Sequence, residues 1–163
     1  QEISNNPEVV RRIGVIAMNT AIEVDLYGNV NSSHINGTNL MNGIGGSGDF
    51  ARNGYLSIFF AESERKDGKI SSVVPFCSHI DNNEHDVDVI VSERGVADLR
   101  GLSPKERAPI IIDQIASPRY QPILRDYFER ACAACHNSQT PHILSEAFSF
   151  HERMLKTGTM EVK

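Results

Sequence analysis

The stretch that most constrains this chain is NGIGGSGDFARNGYLS, residues 42–57, where Gly43, Gly45, Gly46 and Gly48 fall close together. Glycines at that density let the backbone take positive φ and let another group approach the main chain closely. A helical run begins near Asp49, so the glycines form a turn into a helix start. Successive N–H groups ahead of a helix can also cradle an anion. The stretch has neither the G-x-G-x-x-G spacing of a dinucleotide fingerprint nor the Gly-Lys-Ser/Thr ending of a phosphate loop. On pattern alone, the plain turn and the anion cradle both stand.

The segments around the glycines alternate between strand and helix. In AIEVDL, residues 21–26, the apolar Ile22, Val24 and Leu26 alternate with Glu23 and Asp25, the period of a half-buried strand. Strands are expected in 14–37, broken by a glycine turn at Tyr27-Gly28-Asn29, and in 57–62, 70–76 and 87–92, with RKDG at 65–68 as a charged turn. PEVVRRI, 7–13, reads as a short helix capped by Asn5 or Asn6. Further helices are expected to begin near Asp49, Ser103, Pro118 and Pro141, the last two covering about 119–135 and 141–156. SPKE at 103–106 is a capping box with Pro104 in its first turn, and Pro109 is expected to kink or restart that helix. Strands dominate the first hundred residues and helices the rest. The pattern is that of an α/β domain, and 163 residues suffice for one core.

Composition removes several function classes. A net charge of −5 gives no broad basic surface, so no nucleic-acid partner is expected. No apolar run approaches the ~20 residues of a membrane helix, and the opening residues carry no signal-peptide pattern. Cys77, Cys132 and Cys135 make no disulfide framework, which suits a reducing, cytoplasmic setting. The chain opens abruptly on Gln1, without a methionine and in the middle of what reads as a helix, as a fragment of a longer protein would.

Three further features carry chemistry on paper. Cys132-Ala133-Ala134-Cys135-His136 matches the attachment signature of c-type haem, and two thiols three apart on a helix can also hold a soft metal. A zinc site would need two more ligands, and His142 and His151 are not spaced as a compact set, so no metal site is expected. The plainer reading is a pair of small thiols at a helix end. Glu93 follows an apolar strand, where α/β active sites place carboxylates, but it is equally a structural acid for Arg94 or Arg100. The six histidines are scattered, and each reads as a surface or internally satisfied residue rather than a base.

NGIGGSGDFARNGYLSIF resembles the acetyl-CoA hydrolase/transferase family, the class I CoA-transferases acting on short carboxylates. The resemblance extends to SNNPEVVRRIGVIAMNTAIEVDLYGNVNSSHI before it, and to DVDVIVSERGVADLRGLSPKERA, IASPRYQPILRDYF and TPHILSEAFSFHERMLKTGTM after it. It implies that 1–163 is the C-terminal domain of a two-domain enzyme, an open mixed sheet flanked by helices. It implies CoA transfer between carboxylates such as acetate and succinate through a glutamyl-CoA thioester, with a dedicated acyl-CoA hydrolase as the alternative. Acyl-CoA is then substrate, with no tightly bound cofactor. The partners implied are a short-chain carboxylate, the enzyme's own N-terminal domain and a second copy in a homodimer. In the family the nucleophilic glutamate lies upstream of the glycine turn, before this chain begins. An Asn two residues before a Pro and the N–H of the second glycine in Gly-Gly form its oxyanion hole, which falls here on Asn5 and Gly46. Gly45, Gly46, Ser47 and Gly48 are implied to line the thioester, and Asp49 to hold the loop. The Cys-x-x-Cys-His run is no part of the family pattern. The reading outside the family is a haem- or metal-binding redox domain carried by Cys132, Cys135 and His136.

Overall fold

The first helix of the computed structural model, which describes residues 3–162, is α1 (Pro7–Ile13). Asn6 caps it: its Oδ1 accepts from the N–H groups of Glu8 (3.0 Å) and Val9 (3.3 Å). Gly14 ends it at φ 67°, the left-handed C-terminal position where glycine is favoured. The chain then enters β1 (Ile16–Thr20), followed by the short strands β2 (Glu23–Asp25), β3 (Val30–Asn31), β4 (His34–Ile35) and β5 (Asn39–Leu40). The turn expected at Tyr27-Gly28-Asn29 joins β2 to β3, with Gly28 at φ 95°.

The glycine stretch leads into α2 (Ser47–Asn53), and β6 (Leu56–Phe60) follows. The RKDG turn joins β7 (Glu64–Arg65) to β8 (Ile70–Ser71), with positive φ at Lys66, Asp67 and Gly68. After β9 (Val73–Val74) and a 3-10 turn at Glu84–Asp86 come β10 (Val89–Ser92) and β11 (Gly95–Asp98). β11 lies beyond the strand expected over 87–92. Its GVAD alternates, and Glu93-Arg94 makes a tight reversal that pairs Ser92 with Gly95. The helices α3 (Pro104–Gln114), α4 (Gln121–Ala134) and α5 (Ser149–Thr157) complete the chain. None of the described helices is long and apolar enough to cross a membrane.

The main sheet runs in the order β1-β6-β10-β11, parallel except for the antiparallel β11. α2 packs on β1 and β6, and α3 packs on β11 and α4. A second sheet, β3-β2-β9, lies beside it. This is the expected mixed α/β arrangement of small open sheets flanked by helices. Leu26, Tyr27, Phe59, Ile90, Leu99, Ile111, Ile112 and Leu124 are all fully buried in one core.

Two helix expectations need correction. α3 does not restart at Pro109: it runs from Pro104 to Gln114, with Ala108, Ile111 and Ile112 buried on the face that outweighs the lost N–H. Its capping box forms as read, Glu106 accepting from the Ser103 N–H at 2.8 Å. The last helix starts at Ser149, not near Pro141. Residues 141–148 are held as a packed irregular segment instead. The Tyr27 hydroxyl donates to the Pro141 carbonyl, and the His142 ring packs edge-on to Tyr27, centroids 5.0 Å apart, and against Phe76 at 4.6 Å.

The half-buried reading of AIEVDL also fails. All of β2 is buried, and Glu23 is 6% and Asp25 0% exposed. Buried carboxylates need partners. Asp25 accepts from the N–H groups of Tyr27 and Asn29, 3.0 Å each, and from Asn29 Nδ2 at 2.9 Å. Glu23 Oε1 accepts from Asn31 Nδ2 (3.0 Å) and from the N–H and Oγ of Ser78 (2.9 Å each), while Oε2 meets His151 Nε2 at 2.8 Å. Burial pushes the Glu23 pKa up, but the hydrogen bond and charge of His151, with Ser78 and Asn31, outweigh it and hold it below the usual carboxylate range. His151→Ala removes one hydrogen-bond partner of a buried carboxylate, so equilibrium urea unfolding at neutral pH should show a loss of about 1–3 kcal/mol. Because the Glu23 pKa is lowered, its contribution is present above the unfolded value and fades as pH falls through the folded one. The gap between variant and wild type should therefore narrow in acid. A loss that is small at neutral pH, or that does not change with pH, would contradict this account.

Candidate active site

Residues 32–47 wrap back on themselves to present the glycine turn. The Met41 N–H donates to the Ser33 carbonyl at 2.8 Å, and Asn42 Nδ2 donates to the carbonyls of Ser32 (3.0 Å) and Gly43 (3.1 Å). Ser47 Oγ donates to the Ile44 carbonyl at 3.0 Å and accepts from Asn82 Nδ2 at 3.4 Å. Gly45 sits at φ 61°, a left-handed position that disfavours other residues. Gly46 caps α2 at φ −92° and ψ 4°, which any residue can adopt, so its glycine requirement has another origin.

That origin is Asn5. A Cβ on Gly46 would collide with Asn5 Nδ2 and come within 3.3 Å of Asn5 Cγ and of the Phe50 ring. The side-chain amide therefore lies against the second glycine of Gly45-Gly46. α1 and α2 pack together, and the Arg11 guanidinium donates to Asn53 Oδ1. Asn6, not Asn5, is the cap of α1. Asn5 instead accepts from Ser4 Oγ on Oδ1 at 3.0 Å and turns its Nδ2 toward Gly46.

An open cleft of about 580 Å³ lies beside this junction, lined by Pro7, Ile44, Gly45, Gly48, Asp49 and Arg52. Arg52 brings positive charge to it and is paired with Asp86 at 2.7 Å. Asp49 does not hold the loop by a side-chain bond among the described residues; Asn42, Ser47 and Asn82 do so. Asn42 and Asn82 follow no motif, and the role of Asn82 depends on a contact 35 positions along the chain.

A second cleft, about 650 Å³, opens at the C-terminal ends of β1, β6 and β10 and is lined by Thr20, Phe60, Arg65, Ser92 and Glu93. The partner of Glu93 is Ser63, rather than Arg94 or Arg100. The Ser63 N–H donates to Oε2 at 2.9 Å and its hydroxyl donates to Oε1, while Arg100 pairs with Asp98 at 2.7 Å. Burial works against the Glu93 charge, but the Ser63 bonds prevail and the pKa is lowered. Glu93 is thus an oriented, ionised carboxylate at the strand ends where α/β folds build sites.

The Cys-x-x-Cys-His run is separate from both clefts. Cys132 lies on α4 and Cys135 is the C-cap that follows it; both thiols are free, as is that of the buried Cys77. Cys135 Sγ contacts the His142 carbonyl at 3.5 Å.

Residues 1–128 match the family model for the acetyl-CoA hydrolase/transferase C-terminal domain. The chain is 61% identical over 99% of its length to a succinyl-CoA:acetate CoA-transferase of Clostridium kluyveri, and covers 30% of that protein. It is 56% identical over 98% of its length to a propanoyl-CoA:succinate CoA transferase of Escherichia coli, covering 32% of it. It is 52% identical over 99% of its length to an acetyl-CoA hydrolase of Saccharomyces cerevisiae, again covering 32%. The chain thus spans about a third of the length of these relatives. Among solved structures, RipA of Yersinia pestis superposes with a TM-score of 0.66 at 28% identity, over 77% of this chain and 28% of RipA. A 4-hydroxybutyrate CoA-transferase of Porphyromonas gingivalis superposes at 0.59 and 30% identity, over 77% of this chain and 29% of its own. With this agreement along the sequence, and in the sheet that carries the glycine turn, the chain belongs to the acetyl-CoA hydrolase/transferase family.

Proposed function

We propose that residues 1–163 are the C-terminal domain of a two-domain CoA-transferase that moves CoA between short-chain carboxylates of the acetate and succinate type. The observation that carries this reading is the approach of the Asn5 amide to Gly46. The two groups are 41 positions apart in sequence, separated by α1 and the strands β1–β5, yet they put a side-chain N–H₂ beside a glycine main chain at a cleft. That is the donor set an oxyanion needs.

In the proposed reaction a glutamate carboxylate, supplied by the upstream part of the enzyme, attacks the acyl-CoA thioester carbonyl. The carbonyl oxygen becomes an oxyanion as the C–O bond forms, and collapse expels CoA thiolate and leaves an acyl–glutamyl anhydride. The thiolate then attacks the glutamyl carbonyl, releasing the first carboxylate and leaving a glutamyl-CoA thioester. A second carboxylate reverses the sequence. Asn5 Nδ2 and the Gly46 N–H stabilise the oxyanion in each addition, and Gly45, Ser47 and Gly48 line the thioester. The enzyme acts as a cytoplasmic homodimer, with acyl-CoA as substrate and no tightly bound cofactor. Thioester hydrolysis is the second reading, favoured by the equally extensive match to proteins named acetyl-CoA hydrolase. It differs only in that water takes the place of the acceptor.

Removing one oxyanion donor typically costs about 10²–10³ in kcat. In the full-length enzyme Asn5→Ala should lower kcat by about that factor, with a smaller change in KM, since the bond matures in the transition state. Asn5→Asp should be at least as damaging, because it places a negative charge beside a developing one. Melting temperature should separate the neighbours: Asn6→Ala removes the α1 cap and costs about 1 kcal/mol of stability, whereas Asn5→Ala leaves stability nearly unchanged. If Asn5→Ala keeps kcat within a few-fold of wild type, the oxyanion assignment is wrong.

The assignment of the nucleophile has its own test. Purified 1–163 should show no CoA exchange between acetate and succinate, because the attacking carboxylate is upstream. Turnover by this piece alone would transfer the nucleophile to an internal acid, with Glu93 the first suspect. Cys132→Ala combined with Cys135→Ala should leave the activity of the full enzyme intact, and a large loss with folding preserved would give those thiols a role.

A further inference from the structure

Beside the glycine turn, on the segment that supports it, the side chains of His34, His79 and Asp81 converge. One ligating atom from each lies within 4.8 Å of the others, and theirs is the one such three-residue group found among the described residues. The His34 and His79 rings stack with centroids 3.9 Å apart and planes inclined by 32°. His79 Nε2 stands 3.3 Å from Asp81 Oδ1. Neither histidine is used in the oxyanion chemistry, and ordinary core packing does not account for two stacked imidazoles over one carboxylate.

The surroundings prepare these groups as ligands. Asp81 Oδ2 is fully engaged, accepting from the Ser32 N–H (2.8 Å), Ser32 Oγ (3.3 Å) and Ser33 Oγ (2.7 Å), which leaves Oδ1 toward His79. Ser33 Oγ also lies 2.8 Å from His34 Nδ1. A hydroxyl has one proton, and an ionised carboxylate can only accept. Ser33 therefore donates to Asp81 and accepts from His34 Nδ1–H. That arrangement places the His34 proton on Nδ1 and leaves the lone pair on Nε2. Hydrogen bonds of this kind, which set the tautomer of a histidine and the orientation of a carboxylate, are what metal centres use to support their ligands. The Asp81 side chain is 6% exposed while that of His79 is 44% exposed, so a rigid floor is open to solvent on one side.

We propose that His34, His79 and Asp81 form a binding site for a divalent transition-metal ion of the zinc class. Two imidazoles and one carboxylate suit zinc and its neighbours better than calcium or magnesium, which favour all-oxygen shells. Three protein ligands leave an open position for water or for a donor atom of a small ligand. The site is joined to the glycine turn: the Ser33 carbonyl holds Met41 N–H, and Asp81 and Asn82 line the cleft shared with Gly45 and Gly48. A bound ion would therefore stiffen residues 32–47 and add positive charge, beside that of Arg52, to a rim that carries Asp49, Asp81 and Asp86.

The test uses the purified, chelator-treated protein and Zn²⁺ by isothermal titration calorimetry, with Co²⁺ absorption as a reporter of nitrogen and oxygen ligands. One Zn²⁺ per chain should bind saturably and raise the melting temperature. His79→Ala, a half-exposed position, and His34→Ala should each abolish saturable binding. Ser33→Ala, which touches no metal, should weaken it by about 10–100-fold, and its metal-free melting temperature reports any folding defect separately. Cys132→Ala with Cys135→Ala should leave binding unchanged, and Co²⁺ should show no thiolate charge-transfer band. Absence of saturable binding by wild type, or binding that survives His79→Ala and His34→Ala, overturns the proposal. Loss of binding with the two cysteines replaced would move the metal to α4.

Discussion

Glu23 is the constraint around which this fold is arranged. A carboxylate 6% exposed must be met on every side, and here β3 (Asn31), the loop after β9 (Ser78) and α5 (His151) each bring a donor to it. The C-terminal helix therefore sits where it does for a polar reason as well as an apolar one. Asp25, two residues on, closes the β2–β3 turn from inside, and burial raises its pKa to about 6. The two acids pull in opposite directions with pH. A raised pKa favours the fold as pH falls through about 6, while the lowered pKa of Glu23 favours it above the carboxylate range. The second sheet thus combines hydrogen-bonded buried acids with the apolar burial of Val24, Val30, Val73 and Val74, and the segment carrying the glycine turn grows out of it.

The positions of Asn5 and Gly46 follow from this scaffold by way of two short helices. Neither helix is long enough to be stable by itself; each is fixed by packing on the other and, for α2, on β1 and β6. Each sets one donor at its N-terminal end, and the Arg11–Asn53 contact ties the far end. Electrostatic stabilisation of a transition state depends on donors that need not move when charge develops. For the proposed oxyanion hole, mutual packing of α1 and α2 is a source of such rigidity, although the glycine turn itself is exposed at Gly45.

Much of this was legible in the sequence because it depends on local signals. The glycine turn, the Ser103 capping box, the charged hairpin at 65–68 and the apolar strands all announce themselves within a few residues. The Asn5–Gly46 pairing was legible only through family resemblance, and its geometric reason, a collision rather than a φ requirement, needed coordinates. Other features were hidden for a common cause. The acids of β2 looked solvent-facing because alternation reveals a face but not what covers it, and Asn31, Ser78 and His151 lie far along the chain. The late start of α5 follows from tyrosine and aromatic contacts to Pro141 and His142 that helix propensity cannot see. The pairing of Glu93 with Ser63 escaped because adjacent arginines suggest an ion pair, whereas the loop after the neighbouring parallel strand β6 offers an N–H and a hydroxyl. The His34, His79 and Asp81 cluster likewise joins β4 to a loop 45 positions on, with no spacing to betray it.

The contact between Asn5 and Gly46 also sets how the two positions can change over time. Gly46 lacks a side chain because the Asn5 amide occupies the volume that one would fill. A larger residue at 46 is therefore open only to a chain that has already shortened or redirected residue 5, and shortening residue 5 discards the amide. Each single step is obstructed by the other residue, so the pair behaves as one heritable unit. Relatives that have abandoned this chemistry should be recognisable by having lost both together, with unrestricted side chains at 46 appearing alongside something other than asparagine at 5.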